Sequence, residues 1–197
     1  MSEAPRRGRR PGASGAQAAI LAAARKSFAT AGFSGTTIRG VASAAAVDPA
    51  LVHHYFGTKA DLFIAALELP VDPRALLLPA MEPGPEGAAE RLLRVFLSVW
   101  DDPVARLPLL ALVRGVMEPS GQQLVRDGWL PVVVGPVLGA LGVDDLERRV
   151  PLVASQVIGL IIVRYVLAVE PLASMPPEEV VAVYAPTLQR YLTGPLP

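Results

Sequence analysis

Residues 37–56 read TIRGVASAAAVDPALVHHYF. Ile38, Val41, Ala42 and Ala45 recur at i, i+3, i+4 and i+7, the spacing at which a helix buries one narrow stripe. Ala46 and Val47 make a corner. Asp48 followed by Pro49 is a helix start, because Asp caps free N–H groups and Pro tolerates the first helical position. The second helix turns Val52, Tyr55 and Phe56 inward and leaves Ala50, Leu51, His53 and His54 partly or wholly outward. Gly40, Ala42, Ala45 and Ala46 are small enough for the two helices to cross closely. This pattern predicts a helix-turn-helix, a motif whose second helix enters the DNA major groove.

The flanks extend the motif into a small helical unit. Ser14 opens a first helix with Gln17 three residues on as a capping-box partner; Ile20, Leu21, Ala24 and Phe28 share a face, and Gly32 permits a left-handed stop. After Phe56, Thr58 and Asp61 form a second capping box at the head of a helix running to Leu69, with Leu62, Ala65, Ala66 and Leu69 as its apolar stripe. Pro70 and Pro73 are expected to stop it.

From Phe28 to Phe63 the chain resembles the DNA-binding domain of the TetR family of bacterial transcriptional regulators. The resemblance rests on a Gly32-Phe33 loop, Thr36-Thr37, Val41-Ala42, Asp48-Pro49, Tyr55-Phe56 and Lys59 three residues beyond the aromatic pair. Three positions depart from the family pattern: Ala46 where Gly is usual, His53 where Tyr is common, and Gly57 where Pro is common. DNA recognition divides into positioning on phosphates and reading of base edges. Thr36, Thr37, His53, Tyr55 and Lys59 are the positioning candidates; Arg39, Ala50, Leu51 and His54 are the reading candidates, and Pro49 at the head of the second helix is a further DNA-binding candidate. Arg39 can pair with guanine O6 and N7, while Ala50 and Leu51 offer only apolar contacts. The resemblance further implies a second domain with a cavity for a small-molecule effector, and a homodimer.

Composition sets the outer limits. Of 197 residues 52% are hydrophobic and 18% charged, with mean hydropathy +0.42, an apolar balance that suits burial against a second subunit. There are no cysteines, which excludes disulfides, thiolate metal sites and a Cys nucleophile. Formal net charge is zero, yet residues 1–69 carry eight Lys or Arg against four Asp or Glu and residues 70–197 carry ten against fourteen, so +4 faces −4 across the chain. A basic end joined to an acidic body fits nucleic-acid binding. Residues 1–13, with Arg6, Arg7, Arg9 and Arg10, are expected to be a disordered basic arm that is either merely solvated or adds phosphate and minor-groove contacts. No signal-peptide pattern follows it, so a cytoplasmic protein is expected. Leu152–Val169 is apolar enough to raise the question of a membrane span, but Arg164 in its middle argues against one. Nucleophile-elbow, P-loop, dinucleotide-fingerprint and HExxH patterns are missing, so an enzyme is not expected, nor a cofactor. His53 and His54 are adjacent, without the i, i+4 spacing of a helical zinc pair.

The remainder of the chain reads as helical. The fold class expected is all-α: a DNA-binding domain over 14–70 with its helix-turn-helix at 37–56, and a regulatory and dimerisation domain over 71–197. Five prolines between 70 and 85 mark the boundary, with at most one packed turn at Leu76–Leu78. Five helices are expected beyond it, over Glu86–Asp101, Pro103–Met117, Ser120–Leu141, Asp144–Val169 and Pro176–Thr193. Pro131 and Pro136 should kink or split the third. The last two, apolar nearly all round or at helical spacing, are the expected dimer interface, pairing with their symmetry mates as a four-helix bundle. Candidates for lining an effector cavity are Trp100, Leu110, Arg114, Met117, Trp129, Val133, Gln156, Leu160 and Arg164. Arg164, a charge in an apolar helix, needs a partner: a ligand anion, Glu118, Glu170 or a residue across the dimer. Arg114 and Glu118, four apart, are positioned to pair. The function expected is a sequence-specific regulator, a repressor released from a pseudo-palindromic operator by a small hydrophobic or amphipathic effector. The alternative is a DNA-binding or architectural protein of the same fold with no effector.

Overall fold

The computed structural model describes residues 13–116 and 118–196. The Arg-rich arm lies outside them, apart from Ala13, where the first helix is already formed. Among the described residues every regular element is helical. The chain divides into two compact units between Leu67 and Glu68.

In the first unit, α1 (Ala13–Gly35) is interrupted at Gly32, which takes φ 69, ψ −179 before one further turn. Then come α2 (Ile38–Ala44), α3 (Pro49–Phe56) and α4 (Lys59–Ala66). Ile20, Ala24 and Phe28 of α1, Val41 and Ala42 of α2, Val52 of α3, and Leu62 and Phe63 of α4 are buried together as the core. Phe28 and Phe33 each meet the Phe63 ring edge-on, at 5.2 and 5.4 Å between centroids. Each such large side chain removed from water contributes about 1.5–3 kcal/mol. At the corner between α2 and α3 the backbone of Ala46 is left-handed, φ 54, which explains why Gly is usual at this position. The fourth helix ends at Ala66 and not at Leu69: the Leu67 N–H donates to the Ile64 carbonyl at 3.1 Å, and Glu68 turns left-handed at φ 52. The chain therefore turns before the two prolines expected to stop it.

The second unit corrects the linker. Residues 70–85 contain a nine-residue helix, α5 (Pro73–Met81), capped by Asp72, whose Oδ1 accepts the Arg74 N–H at 2.9 Å. Asp72-Pro73 repeats the start signal of Asp48-Pro49, and it outweighs the later Pro79 within the helix. Beyond it lie α6 (Ala88–Trp100), α7 (Arg106–Gly115), α8 (Pro119–Leu124), α9 (Gly135–Gly139), α10 (Leu146–Ile161) and α11 (Pro177–Thr193). The expected Ser120–Leu141 helix is neither simply kinked nor split by its prolines. Between α8 and α9, Val125–Val134 winds as a wider π-helix, and the Gly135 N–H reaches back five residues to Leu130. Proline lacks the N–H of the ordinary ladder and clashes with the carbonyl four residues back; the wider turn relieves that clash. A second π segment, Ile162–Val166, ends the α10 run short of Val169. Pro103 lies outside α7: the Asp102 carboxylate accepts the Val104 and Ala105 N–H groups at 2.7 and 3.0 Å, making a turn there.

The core of this unit is built on α6, whose Ala89, Leu93 and Leu97 are buried with Val181, Leu188 and Leu192 of α11. Three arginines fasten its loops to its helices. Arg91 donates to the carbonyls of Ala80 and Glu86, both at 2.6 Å, and to that of Gly84. Arg149, 5% exposed, donates to the carbonyls of Tyr191 and Gly194, each at 3.0 Å, and to Asp144 Oδ1 at 2.8 Å. Arg164, 7% exposed, donates to the carbonyls of Leu172 and Met175 at 2.6 and 2.9 Å and pairs with Asp101. Leu146–Val166 is long and apolar enough to cross a membrane by length and composition. Its Arg149 and Arg164 are instead spent inside the protein, on partners in neighbouring loops.

Candidate nucleic-acid interface and apolar cavity

The first unit presents the two ends of α2 and α3 with their polar groups in defined states. Thr37 caps α2: its Oγ1 accepts the Gly40 N–H at 3.0 Å, which leaves its own hydroxyl proton to donate outward. A Cβ at residue 40 would stand 3.1 Å from that oxygen, so Gly40 keeps the cap open. Asp48 caps α3 through the Ala50 N–H at 2.8 Å, with Pro49 at the first position. Lys59 opens α4 beside the end of α1, its ammonium 4.4 Å from the Phe33 ring centroid and 3.4 Å from the Ser34 carbonyl. Only one of its three N–H donors is engaged there.

Arg39, Ala50, His53 and His54 are exposed, and Pro49, Leu51 and Tyr55 half-exposed. His53 Nδ1 lies 2.8 Å from the Gly57 carbonyl. A carbonyl only accepts, so Nδ1 carries the proton and Nε2 faces outward. Gly57, with φ 73, brings that carbonyl within reach. Thr58 and Asp61 complete the capping box, the Asp61 N–H donating to Thr58 Oγ1 at 3.1 Å and the Thr58 N–H to Asp61 Oδ2 at 3.0 Å.

Thr36 is the exception among the nominated residues. It is 1% exposed, its hydroxyl donates to the Gly32 carbonyl at 2.8 Å and lies 3.0 Å from Ser27 Oγ, and its N–H is turned to the Phe33 carbonyl. Its polar groups are consumed in joining α1 to α2, so it fixes the position of Thr37 and has nothing left for a phosphate.

The second unit holds a cavity of about 390 Å³ that is partly open to solvent, with Val71, Leu76 and Ile158 of its lining exposed. Its walls come from the 69–77 stretch, from Phe96, Val99 and Trp100 of α6, from Leu109 and Val113 of α7, from Trp129 and Val133 of the first π segment, and from Val153, Val157 and Ile161 of α10. Trp100, Trp129 and Val133 are thus at the cavity as expected. Leu110, Arg114, Gln156, Leu160 and Arg164 are not among its lining residues, and Met117 lies outside the described residues. Leu160 is buried in the helical core, Gln156 is half-buried and Arg114 is exposed. No Arg114–Glu118 pair forms among the described residues: α7 ends at Gly115, and Glu118 precedes α8, so the two no longer share a helix.

Arg164 is turned from the cavity to a polar cluster behind the Trp100 wall. Asp101 Oδ1 accepts from Arg164 Nη2 at 3.2 Å and from the Tyr165 hydroxyl at 2.9 Å. Asp101 Oδ2 is buried with no hydrogen-bond partner among the described residues. Burial, and then the hydrogen bond to Asp101, push the Tyr165 phenol above its usual range. Asp101, the partner of Arg164, had only the weak signal of following Phe96 and Trp100 at helical spacing. Arg149 was also overlooked, although it falls four residues before Val153 on the inward stripe of α10.

Two family models match the chain. The one for bacterial regulatory proteins of the tetR family covers residues 20–66, and the one for the Tetracyclin repressor-like C-terminal domain covers 86–192. No curated protein matches. Among solved structures, a TetR-family regulator from Streptomyces coelicolor A3 is 38% identical, with 94% of this chain and 99% of that chain covered and a TM-score of 0.48. A transcriptional regulator from Rhodococcus sp. Rha1 is 25% identical over 91% of this chain and 98% of that one, TM-score 0.45. A TetR-like regulator from the same source is 22% identical over 95% and 100%, TM-score 0.42. The helix-turn-helix, the all-helical second unit and these matches agree: the chain belongs to the TetR family of bacterial transcriptional regulators.

Proposed function

We propose that the chain is a cytoplasmic, homodimeric repressor that holds a pseudo-palindromic operator with two α3 helices and releases it when a small molecule fills the cavity of the second unit. Thr37 and Lys59 bind phosphates, with His53 and Tyr55 beside them; Arg39, Ala50, Leu51 and His54 meet base edges. The observation that carries this reading is the composition of the cavity wall. Leu69, Pro70, Val71, Pro73, Leu76 and Leu77 line it, and this stretch directly follows α4 in the chain. An occupant that favours one arrangement of that stretch has a covalent route to the DNA-binding helices, and a ligand shifts such an equilibrium by its differential affinity for the two states. The cavity also favours an effector-responsive regulator over an effector-independent one. Dimerisation is assigned to the Leu146–Val166 run and to α11, where Val166 and Val183 are 39% and 60% exposed.

The test is Val183→Glu, examined by sedimentation and by DNA binding. We expect a folded monomer that has lost tight, specific binding. A variant that stays dimeric and binds normally would place the interface elsewhere.

A further inference from the structure

We infer that the cavity selects uncharged apolar molecules and excludes both anions and cations, so that the effector is a neutral lipophile and not an amphiphile with an ionised head. This rests on the proposed role of the cavity as the effector site. Apart from the Ser98 hydroxyl and the indole N–H groups of Trp100 and Trp129 its lining side chains are apolar, and no Asp, Glu, Lys, Arg, His, Asn or Gln is among the described residues that line it. Ser98 is itself partly spent, donating its hydroxyl proton to the Val95 carbonyl at 2.8 Å, which leaves an oxygen able to accept one hydrogen bond. An ionised group carried inside would leave water for a wall that returns neither a counter-charge nor a set of hydrogen bonds, and that penalty is large.

Two ionised groups of this unit are already engaged elsewhere. Arg164 is the cation that a carboxylate ligand would seek, but its guanidinium is already divided between Asp101 and the carbonyls of Leu172 and Met175. Asp101 is the anion that an ammonium ligand would seek, but its Oδ1 already holds Arg164 and the Tyr165 hydroxyl and its Oδ2 is buried. Neither residue lines the cavity. The geometry also sets the size. An apolar cavity of about 150 Å³ holds benzene, so the 390 Å³ here takes a molecule of roughly 15 non-hydrogen atoms. One hydroxyl or amine N–H at its edge can donate to Ser98, and the other side-chain polar groups of the lining are the indole N–H donors of Trp100 and Trp129, which are neutral.

The test uses matched probes on the whole chain. Phenylnaphthylamine is neutral and brightens in apolar surroundings; anilinonaphthalenesulfonate carries a closely related aromatic skeleton with a sulfonate. The neutral probe should bind saturably and be displaced by decanol. The sulfonate, and decanoate or decylammonium as competitors near neutral pH, should bind at least about 100-fold more weakly. Ala154→Phe, which fills the cavity from α10, should abolish binding of the neutral probe; if that variant fails to fold, the decanol–decanoate comparison on the unmodified chain decides alone. Decanoate or decylammonium competing as well as decanol, or neutral-probe binding untouched in folded Ala154→Phe, overturns the inference. Operator binding is measured in parallel with decanol present. Displacement of the probe without any change in DNA affinity would leave the cavity chemistry standing and defeat the proposed effector role instead.

Discussion

Replacing Arg164 by Met tests whether this charge serves the fold or a ligand. The substitution keeps most of the side-chain volume but withdraws the donors that reach Leu172, Met175 and Asp101. Breaking a buried pair from one side costs about 3–5 kcal/mol, because the remaining charge is left without compensation. The Asp101 side chain is 31% exposed, so water reaches part of it. Among the described residues its Oδ2 has no partner to begin with, and its Oδ1 would keep only the Tyr165 hydroxyl. The lower end of the range applies, about 3 kcal/mol, or roughly 6–12 °C in Tm. Thermal and urea unfolding followed by circular dichroism at fixed protein concentration measures it. Combining Arg164→Met with Asp101→Asn should recover about 1–2 kcal/mol of the loss, since the stranded charge is then gone. A loss under about 1 kcal/mol, or purely additive single and double variants, would refute the reasoning. Cavity binding of a neutral probe, measured well below the Tm, should change by less than about twofold; a selective loss of affinity with stability intact would make Arg164 a ligand group after all.

Ala46→Gly should stabilise the first unit by about 0.5–1 kcal/mol, as relief of the left-handed backbone at φ 54 exceeds the added freedom of the unfolded chain. A neutral or destabilising result in a urea melt would remove the claim of strain at that corner. Lys59→Gln should weaken DNA binding at all sequences and reduce the slope of log K against log salt by about 1, leaving the preferred sequence unchanged. A changed sequence profile would move Lys59 from positioning to reading. Tyr165 is held protonated in the folded state above its ordinary pKa of 10.0. Above that pH the unfolded chain binds fewer protons than the folded one, so this contribution is complete below pH 10 and declines as pH rises. Tyr165→Phe should be less stable at neutral pH yet show a shallower alkaline decline; an unchanged alkaline slope would contradict the assignment.

The DNA-binding unit was legible because its signals are local. A stripe at i, i+3, i+4, i+7, two Asp or Thr caps and one Asp-Pro start fix three helices without reference to distant sequence. Thr36 escaped because its neighbour Thr37 makes the outward cap while Thr36 turns into the joint with α1, a difference of one residue in direction. In the second unit the helices were legible and their phase was not. Choosing Gln156, Leu160 and Arg164 followed the polar residues along one stripe of α10. The cavity takes Val153, Ala154, Val157, Ile158, Ile161 and Ile162, a face centred one to two residues beyond that stripe and so rotated by more than about 100°. A charged residue in an apolar helix attracts attention as a ligand anchor, but Arg164 serves the polar cluster with Asp101 and Tyr165. The π segment over Val125–Val134 adds a further phase shift that straightforward helical counting from Ser120 cannot anticipate. Asp72-Pro73 was readable by the same rule as Asp48-Pro49 and was obscured by the density of prolines around it.

Selection of bound sequences from a random DNA pool, with the purified chain at a stated salt concentration, tests the central claim most directly. The account predicts an inverted repeat with half-sites about one helical turn apart, and a changed preference at a single position in each half when Arg39 is replaced by Ala. Enrichment of no sequence at all, from protein shown to be folded and dimeric, would contradict it.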